Sequence, residues 1–453
     1  MADGAPPTSG SAGRARPIVA ALRARGFRTL FVADAVVLYA SMVAINLVRF
    51  GLDWPTYPLS HYVVGFAIAT AIHLVVGYFG GLYEHEPRLG QRVWLPRVAW
   101  ITAIAVLLDG VAALVTDRYL MPRGNLVAFL VVATLALTGT RWLSRRLVRR
   151  RAGLPRVLLV GSEDEVALAA EHLAGEQVAE VVGDARVDAD VLARVHETGA
   201  SEVILLSQPA LTDLYPEPLT TLERLGVGVL LRVGATETLL GLADVREVAG
   251  MPVVPLRSHA LPRSSAHLKR VLDLVVLVVL SPLIALALLL TAIYVRIVAG
   301  PGILLRQERV GRGGVPFQML KFRTMVPNAE EGIGAVLARR DDPRIIPACA
   351  WLRRTRLDEV PQVWNILRGE MSIVGPRPER PELTAEHERA IPGYSRRHEV
   401  PPGITGLAQV NGRYATDPAF KLGHDLQYLV NWSVVLDLQI MLRTIWVVLA
   451  RRV

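Results

Sequence analysis

The chain has 453 residues, 52% hydrophobic and 20% charged, with a formal net charge of +9 and a mean hydropathy of +0.36. This length and apolar excess point to a membrane protein of two or three domains; its basic balance suits cytosolic loops that face anionic lipid or phosphate substrates. No zinc-finger, helix-turn-helix or RNA-recognition pattern is present, which argues against nucleic acid as a partner, and the single Cys349 excludes an intramolecular disulfide.

Residues 1–26, rich in Gly, Ala, Pro, Ser and Arg, read as a disordered cytosolic leader. The apolar run behind them is long and lacks a clear small-residue cleavage site, so a signal peptide is not expected. Apolar segments near 27–50, 61–83, 97–117 and 124–143 each approach the roughly 20 residues that cross about 30 Å of hydrocarbon. They predict a four-helix transmembrane domain over 27–150. Arg14, Arg16, Arg23, Arg25 and Arg28 precede the first segment, the first loop has no Lys or Arg, and the second carries Arg88, Arg92 and Arg97. The fourth segment exits into RWLSRRLVRRR, so both ends are expected in the cytosol, with Arg118 and Arg123 of the third loop a mild exception. Asp34 and Asp109 lie inside apolar segments and are read as a pair in the bundle interior or near an interface, in preference to a polar pathway.

From 155 to 260 the pattern becomes α/β. The runs 156–161, 178–183, 201–207 and 226–234 alternate with helical stretches, which predicts a parallel sheet with crossover helices. Gly161 ends the first strand where a dinucleotide fold starts its phosphate loop. The loop itself reads Gly161-Ser162-Glu163-Asp164-Glu165, with three acids and no further glycine. A degenerate Rossmann-like module of structural or regulatory use is therefore expected, not NAD chemistry. No tyrosine has a lysine four positions on, which also removes a nucleotide-sugar dehydratase.

The apolar stretch 269–298 is long enough to span a bilayer, but Ser281-Pro282 interrupts it and basic residues flank both ends. Proline bends a helix, and symmetrical charge suits a re-entrant helical hairpin that enters and leaves on the cytosolic face. At its mouth, Lys269 and Arg270 lie four and three residues before Asp273, within pairing distance on a helix.

Residues 303–325 read as two short strands around Gly311-Arg312-Gly313-Gly314. The second strand presents Lys321 and Arg323 on one face, where basic groups can hold phosphate. Beyond Asp341-Asp342 the helix-like run holds Arg353, Asp358 and Glu359, with Pro361 behind and Arg377 on the stiff loop Gly375-Pro376-Arg377-Pro378. Adjacent acids in a basic, apolar setting suit phosphoryl chemistry: one carboxylate attacks phosphorus while the other helps hold a hard divalent cation. By chemistry alone either acid can be the attacker. The final stretch 425–452, with Trp432 and Trp446, reads as a helix at the membrane interface, because Asp437 and Arg443 interrupt a sixth span.

KRxxD at 269–273, the Ser-Pro break, QxRxG at 307–311, LKFRTM, LDEVPQ, NxxxGxMSxVGPRP and PGITGLAQVNGR together closely resemble the bacterial polyprenyl-phosphate hexose-1-phosphate transferases over 265–453. The preceding helices and α/β module resemble the large members that initiate exopolysaccharide or O-antigen synthesis. The resemblance implies a multidomain membrane protein of the inner membrane, with a monotopic α/β catalytic domain on its cytosolic face. It implies transfer of a sugar phosphate from a UDP-sugar to polyprenyl phosphate, with Mg2+ as cofactor and release of UMP. It makes Asp358 the nucleophile of a phosphosugar-aspartyl intermediate, Glu359 its magnesium-binding partner, and Lys321, Arg353 and Arg377 the phosphate or nucleotide ligands. Homo-oligomerisation and the identity of the sugar stay open. The competing expectation is a nucleotide-sugar sensor or scaffold with an inactive transferase domain.

Overall fold

The computed structural model describes residues 12–54, 58–84, 88–90, 94–116, 123–186, 190–207, 214, 217–234, 245–256, 261–327, 342–411 and 417–449. The chain divides into two compact units, 1–258 and 259–453. Among the described residues five helices are long and apolar enough to cross a membrane, at 29–50, 59–79, 95–114, 124–152 and 263–298.

The first unit opens with α1 (Ala12–Phe50), α2 (Leu59–Phe79), α3 (Trp94–Thr116) and α4 (Arg123–Ala152). Helix α1 starts at Ala12, so the part of the expected disordered leader from residue 12 onward is helical; residues 1–11 lie outside the described residues. The four helices pack around Leu38, Met42, Phe66, Phe129 and Leu137, while Trp100, Leu107 and Leu114 remain exposed on the outside. A surface apolar on the outside as well as the inside is what a surrounding bilayer requires. Asp34 and Asp109 do not pair with each other. Asp34 holds Arg141 at 2.7 Å and accepts hydrogen bonds from Tyr83 and Thr140; Asp109 lies 3.4 Å from His73. Arg92 and Arg118 lie outside the described residues.

The same unit continues through β1 (Arg156–Val160), α5 (Glu163–Gly175), β2 (Glu180–Ala185), α6 (Val191–Thr198), β3 (Glu202–Leu205), α7 (Leu219–Arg224), β4 (Gly228–Arg232), β5 (Arg246–Val248) and β6 (Met251–Leu256). The sheet runs β2-β1-β3-β4-β6-β5. Its first four strands are parallel and match the four apolar runs, and β6 joins β4 antiparallel. The β5–β6 hairpin has no counterpart in the sequence reading, because Pro252 and Pro255 hide the strand pattern of β6. Ser162 caps α5 in a capping box: its hydroxyl and amide both donate to Glu165. The helix N-terminus that binds a pyrophosphate in a dinucleotide fold is thus filled by a carboxylate of the chain. Leu89, between α2 and α3, packs into the core of this sheet, and Arg246 donates to the Gly90 carbonyl at 2.9 Å. These contacts make one unit of two regions that composition separates.

The second unit begins with α8 (Arg263–Val298), followed by the hairpin β7 (Leu304–Val310) and β8 (Pro316–Phe322). Then come α9 (Ala350–Arg354), a 3-10 turn (Leu357–Gln362), α10 (Val363–Arg368), β9 (Ser372–Val374), α11 (Pro381–Ala390), a 3-10 turn (Tyr394–Glu399), β10 (Gly403–Thr405), α12 (Leu407–Asn411), α13 (Pro418–Val430) and α14 (Val434–Leu449). The short strands β9 and β10 pair in parallel.

Helix α8 is assigned as one continuous helix, not as two separated arms. Pro282 has no N–H for the carbonyl four residues back, that of Val278, and the Ser281 hydroxyl donates to that carbonyl at 2.7 Å. The Ser-Pro pair therefore repairs most of the defect it creates. Both ends of α8 rest on the same unit: Leu277 packs with Met319, Ile366 and Met371, and Val295 with Phe322, Cys349 and Leu352. Between them Val278, Val279, Leu283 and Leu286 are exposed.

Lys269 and Arg270 do not pair with Asp273 as their spacing predicts. Lys269 donates to Asp437 of α14 at 2.9 Å, and Asp437 also accepts from Tyr428 and Trp432. Arg270 donates to the carbonyls of Ile366 and Leu367, which end α10. Asp273 accepts from the Ser372 hydroxyl and the Ile373 amide of β9. The local partner loses because each group reaches a buried long-range one that would otherwise go unsatisfied.

Candidate active site

Asp358 and Glu359 lie in the first turn of the 3-10 segment that follows α9, both only 6% exposed. The link between the two elements is Arg356, whose φ of 57° and ψ of 19° place it in the left-handed region. A non-glycine residue seldom sits there, at a cost on the order of 1 kcal/mol. The turn has a use: it reverses the chain so that Arg353, five residues before Asp358, acts on that carboxylate.

Glu359 is clamped. Its Oε1 accepts from Lys321 Nζ at 3.0 Å and from Arg377 Nη2 at 2.9 Å, and its Oε2 from Arg356 Nη1 at 3.2 Å. Burial works to raise its pKa, but Arg377, Lys321 and Arg356 outweigh burial and hold the carboxyl well below its usual value. Asp358 is the opposite case. Among the described residues no hydrogen bond reaches its carboxylate, and burial together with the Glu359 charge pushes its pKa up to about 6, against Lys321, Arg353 and Arg377. Burial also lowers the pKa of Lys321, against the pull of Glu359. Four cations face two carboxylates, an excess of positive charge in a partly desolvated cleft. A cavity of about 10 Å3 touches Arg309, Met319, Glu359, Gln362 and Arg377, room for about one water.

Each cation arrives on a different support. Lys321 stands on β8, whose outer edge is held by Asn365: its side-chain oxygen accepts from the Leu320 amide and its nitrogen donates to the Gln318 carbonyl. Arg353 comes from α9 and donates to the Thr324 hydroxyl at 3.3 Å. Arg377 is carried by a loop with no room beneath it: a side chain on Gly375 would meet the Pro401 carbonyl oxygen, and one on Gly403 or Gly406 would overlap the backbone of Gly375. That close approach accounts for the glycines of both GPRP and PGITG.

Arg323 is a correction. It lies one residue past the end of β8, and its amide still donates to the Ile303 carbonyl at 2.8 Å. Its guanidinium instead donates to the Ala299 carbonyl at the end of α8. Arg356 is the residue missed by the sequence reading; its spacing of three from Glu359 was the available signal. Asp342 binds Arg344 at 2.6 Å, and Asp341 lies outside the described residues.

A profile of the bacterial sugar transferases matches residues 264–451. A UDP-glucose:undecaprenyl-phosphate glucose-1-phosphate transferase of Caulobacter vibrioides is 42% identical over 191 residues, which cover 41% of this chain and 71% of that protein. The chain belongs to the bacterial sugar transferase family. Two longer relatives of the family also match. One, from Escherichia coli and with the same description, is 39% identical over 207 residues, 45% of this chain and 44% of that protein. The other is a UDP-N-acetylgalactosamine-undecaprenyl-phosphate N-acetylgalactosaminephosphotransferase of Aeromonas hydrophila, 38% identical over 187 residues, 41% of this chain and 44% of that protein. The match spans less than half the length of these two relatives, and the site lies wholly inside the residues 264–451 that the family profile covers.

Proposed function

We propose that this sugar transferase moves a hexose-1-phosphate from a UDP-sugar to polyprenyl phosphate through a covalent intermediate on Asp358. A buried carboxylate with no hydrogen bond among the described residues, beside a cation cluster anchored on Glu359, carries the reading. A carboxylate left free can attack; one holding three cations cannot do so without releasing them. The names of the relatives support UDP-sugar and undecaprenyl phosphate as substrates.

In the first step a carboxylate oxygen of Asp358 bonds to the β-phosphorus of the UDP-sugar. The bond from that phosphorus to the oxygen bridging the two phosphates breaks, and UMP leaves with the electron pair. In the second step a phosphate oxygen of the lipid bonds to the same phosphorus, the bond to Asp358 breaks, and polyprenyl-diphosphate-sugar forms. Lys321, Arg353, Arg356 and Arg377 spread the charge that develops on the phosphoryl oxygens. The side chains of Arg377 and Arg356 are 39% and 28% exposed, so they are the ones able to turn from Glu359 toward an arriving diphosphate.

The donor set fits a magnesium ion that takes most of its ligands from substrate and water. Magnesium needs only one or two protein carboxylates, and Asp358 has both oxygens unbonded while Glu359 Oε2 has one donor. These two residues would hold it, and when bound it would supply a Lewis acid for the phosphate oxygens. Helix α8 is proposed as re-entrant, since both its ends rest on one unit and its exposed apolar middle calls for lipid. That geometry keeps the acids on the cytosolic side of the inner membrane, where lipid phosphate and soluble nucleotide meet.

The test is UMP release by the full chain in membranes, with a panel of UDP-sugars. A burst of UMP before any lipid acceptor is added is expected, equal to the enzyme present, and none from Asp358→Asn. Full activity in Asp358→Asn would overturn the assignment.

A further inference from the structure

The loop that carries Arg377 has an unusual handicap. Pro376 and Pro378 have no N–H, so the loop is anchored chiefly through its carbonyls. Four consecutive carbonyls are each held by a donor from elsewhere. Pro376 accepts from the Gly403 amide at 2.9 Å, Arg377 from Arg397 Nη2 at 3.0 Å, Pro378 from Arg309 Nη1 at 3.2 Å and Glu379 from the Val310 amide at 3.0 Å. The Arg397 bond falls on the carbonyl of Arg377 itself.

Arg397 is built in place. It is 5% exposed, its Nη2 also lies 2.8 Å from Asp425 Oδ2 of α13, and its Nη1 donates to the Tyr394 hydroxyl. Glu379 stands 4.0 Å from it. A buried ion pair offsets little more than its own desolvation, and apolar residues of equal volume often stabilise a fold as well or better. What the pair supplies here is placement: a planar fork whose one edge is pinned by Asp425 and Tyr394 and whose Nη2 also fixes a backbone oxygen.

We infer that Arg397 and Asp425 form a buried strut that positions Arg377, and that Arg397 is thereby a positioning residue for phosphoryl transfer. The inference rests on the proposed function, since Arg377 matters through the phosphate charge it meets. A guanidinium displaced by about 1 Å is enough to cost on the order of 100-fold in rate.

The experiment is a double-mutant cycle in the full chain reconstituted in lipid. Arg397→Lys keeps a positive charge against Asp425 but loses the fork. It is expected to slow single-turnover UMP release about 30- to 100-fold while UDP binding, read by calorimetry, changes less than about threefold. In an Arg377→Ala background the same substitution should add less than about threefold, because both act through one group. Hydrogen exchange at the Gly403 and Val310 amides, which donate to the Pro376 and Glu379 carbonyls on either side of Arg377, should quicken at least about tenfold in Arg397→Lys. Equal losses in both backgrounds, or unchanged exchange, would overturn the strut. Should Arg397→Lys fail to fold, Asp425→Asn, which keeps the shape and removes the counter-charge, is put through the same cycle. If the wild type releases UMP from no UDP-sugar, the function reading falls, and the exchange measurement alone decides the strut.

Discussion

Replacing Asp358 by asparagine should make the catalytic unit more stable while destroying its chemistry. The carboxylate is buried, and its pKa stands at about 6 against the ordinary 3.8. That rise corresponds to roughly 3 kcal/mol of differential interaction between the two protonation states. The sign follows from proton binding. Between 3.8 and about 6 the folded state holds more protons than the unfolded, so stability falls as pH rises through that window. Above it, the full penalty of about 3 kcal/mol is present; at pH 4.5 about 1 kcal/mol remains. Asparagine keeps the shape and removes the charge, so Asp358→Asn should gain up to about 3 kcal/mol at pH 7.5. For a unit of this size that is a rise of roughly 5–10 °C in the catalytic unit's transition. The assay is thermal unfolding of the full chain in nanodiscs, followed by tryptophan fluorescence at pH 7.5 and 4.5. A variant no more stable than wild type at pH 7.5, or a gap that does not shrink at pH 4.5, refutes the reasoning. The same protein should release no UMP, because an amide cannot attack phosphorus.

Three other outcomes follow from the same geometry. UMP release in single turnovers should fall about tenfold per pH unit below about 6, as Asp358 takes up its proton; a profile flat to pH 4.5 would contradict it. Glu359→Gln removes the charge that Lys321, Arg356 and Arg377 share and turns one of its two acceptor oxygens into a donor facing a cation, and should cost about 2–4 kcal/mol in the same unfolding assay. A loss under about 1 kcal/mol would mean the clamp is not formed. Gly403→Ala forces a methyl into the backbone of Gly375 and should lower UMP release about 100-fold by moving Arg377. Gly423→Ala, on α13 with open space around it, is the control and should stabilise by about 0.5–1 kcal/mol with activity unchanged.

The acid pair, Lys321 and Arg377 are legible because short motifs fix which residues a small site can gather. The four parallel strands are legible because each carries a run of two to four branched apolar residues bounded by charged residues or glycine. What escaped was decided over long distances or by single dihedral angles. Alternation along β8 puts Arg323 on the face of Lys321, but nothing in that pattern shows that its guanidinium reaches the Ala299 carbonyl. Spacing on α8 gave Lys269 a partner at Asp273, whereas the buried carboxylate that takes it is 168 residues away. Arg356 enters the site only because its backbone turns left-handed, a conformation that arginine's own preferences argue against.

The Lys269–Asp437 bond also sets an order of events during synthesis. Chains grow at roughly 5–20 residues per second, so the 168 residues between the partners separate their appearance by about 10–30 s. Over that interval α8 must meet the bilayer with its lysine unmatched, and the ammonium is served only by water and lipid headgroups. Asp437 arrives late, already tied to Tyr428 and Trp432, and closes the unit.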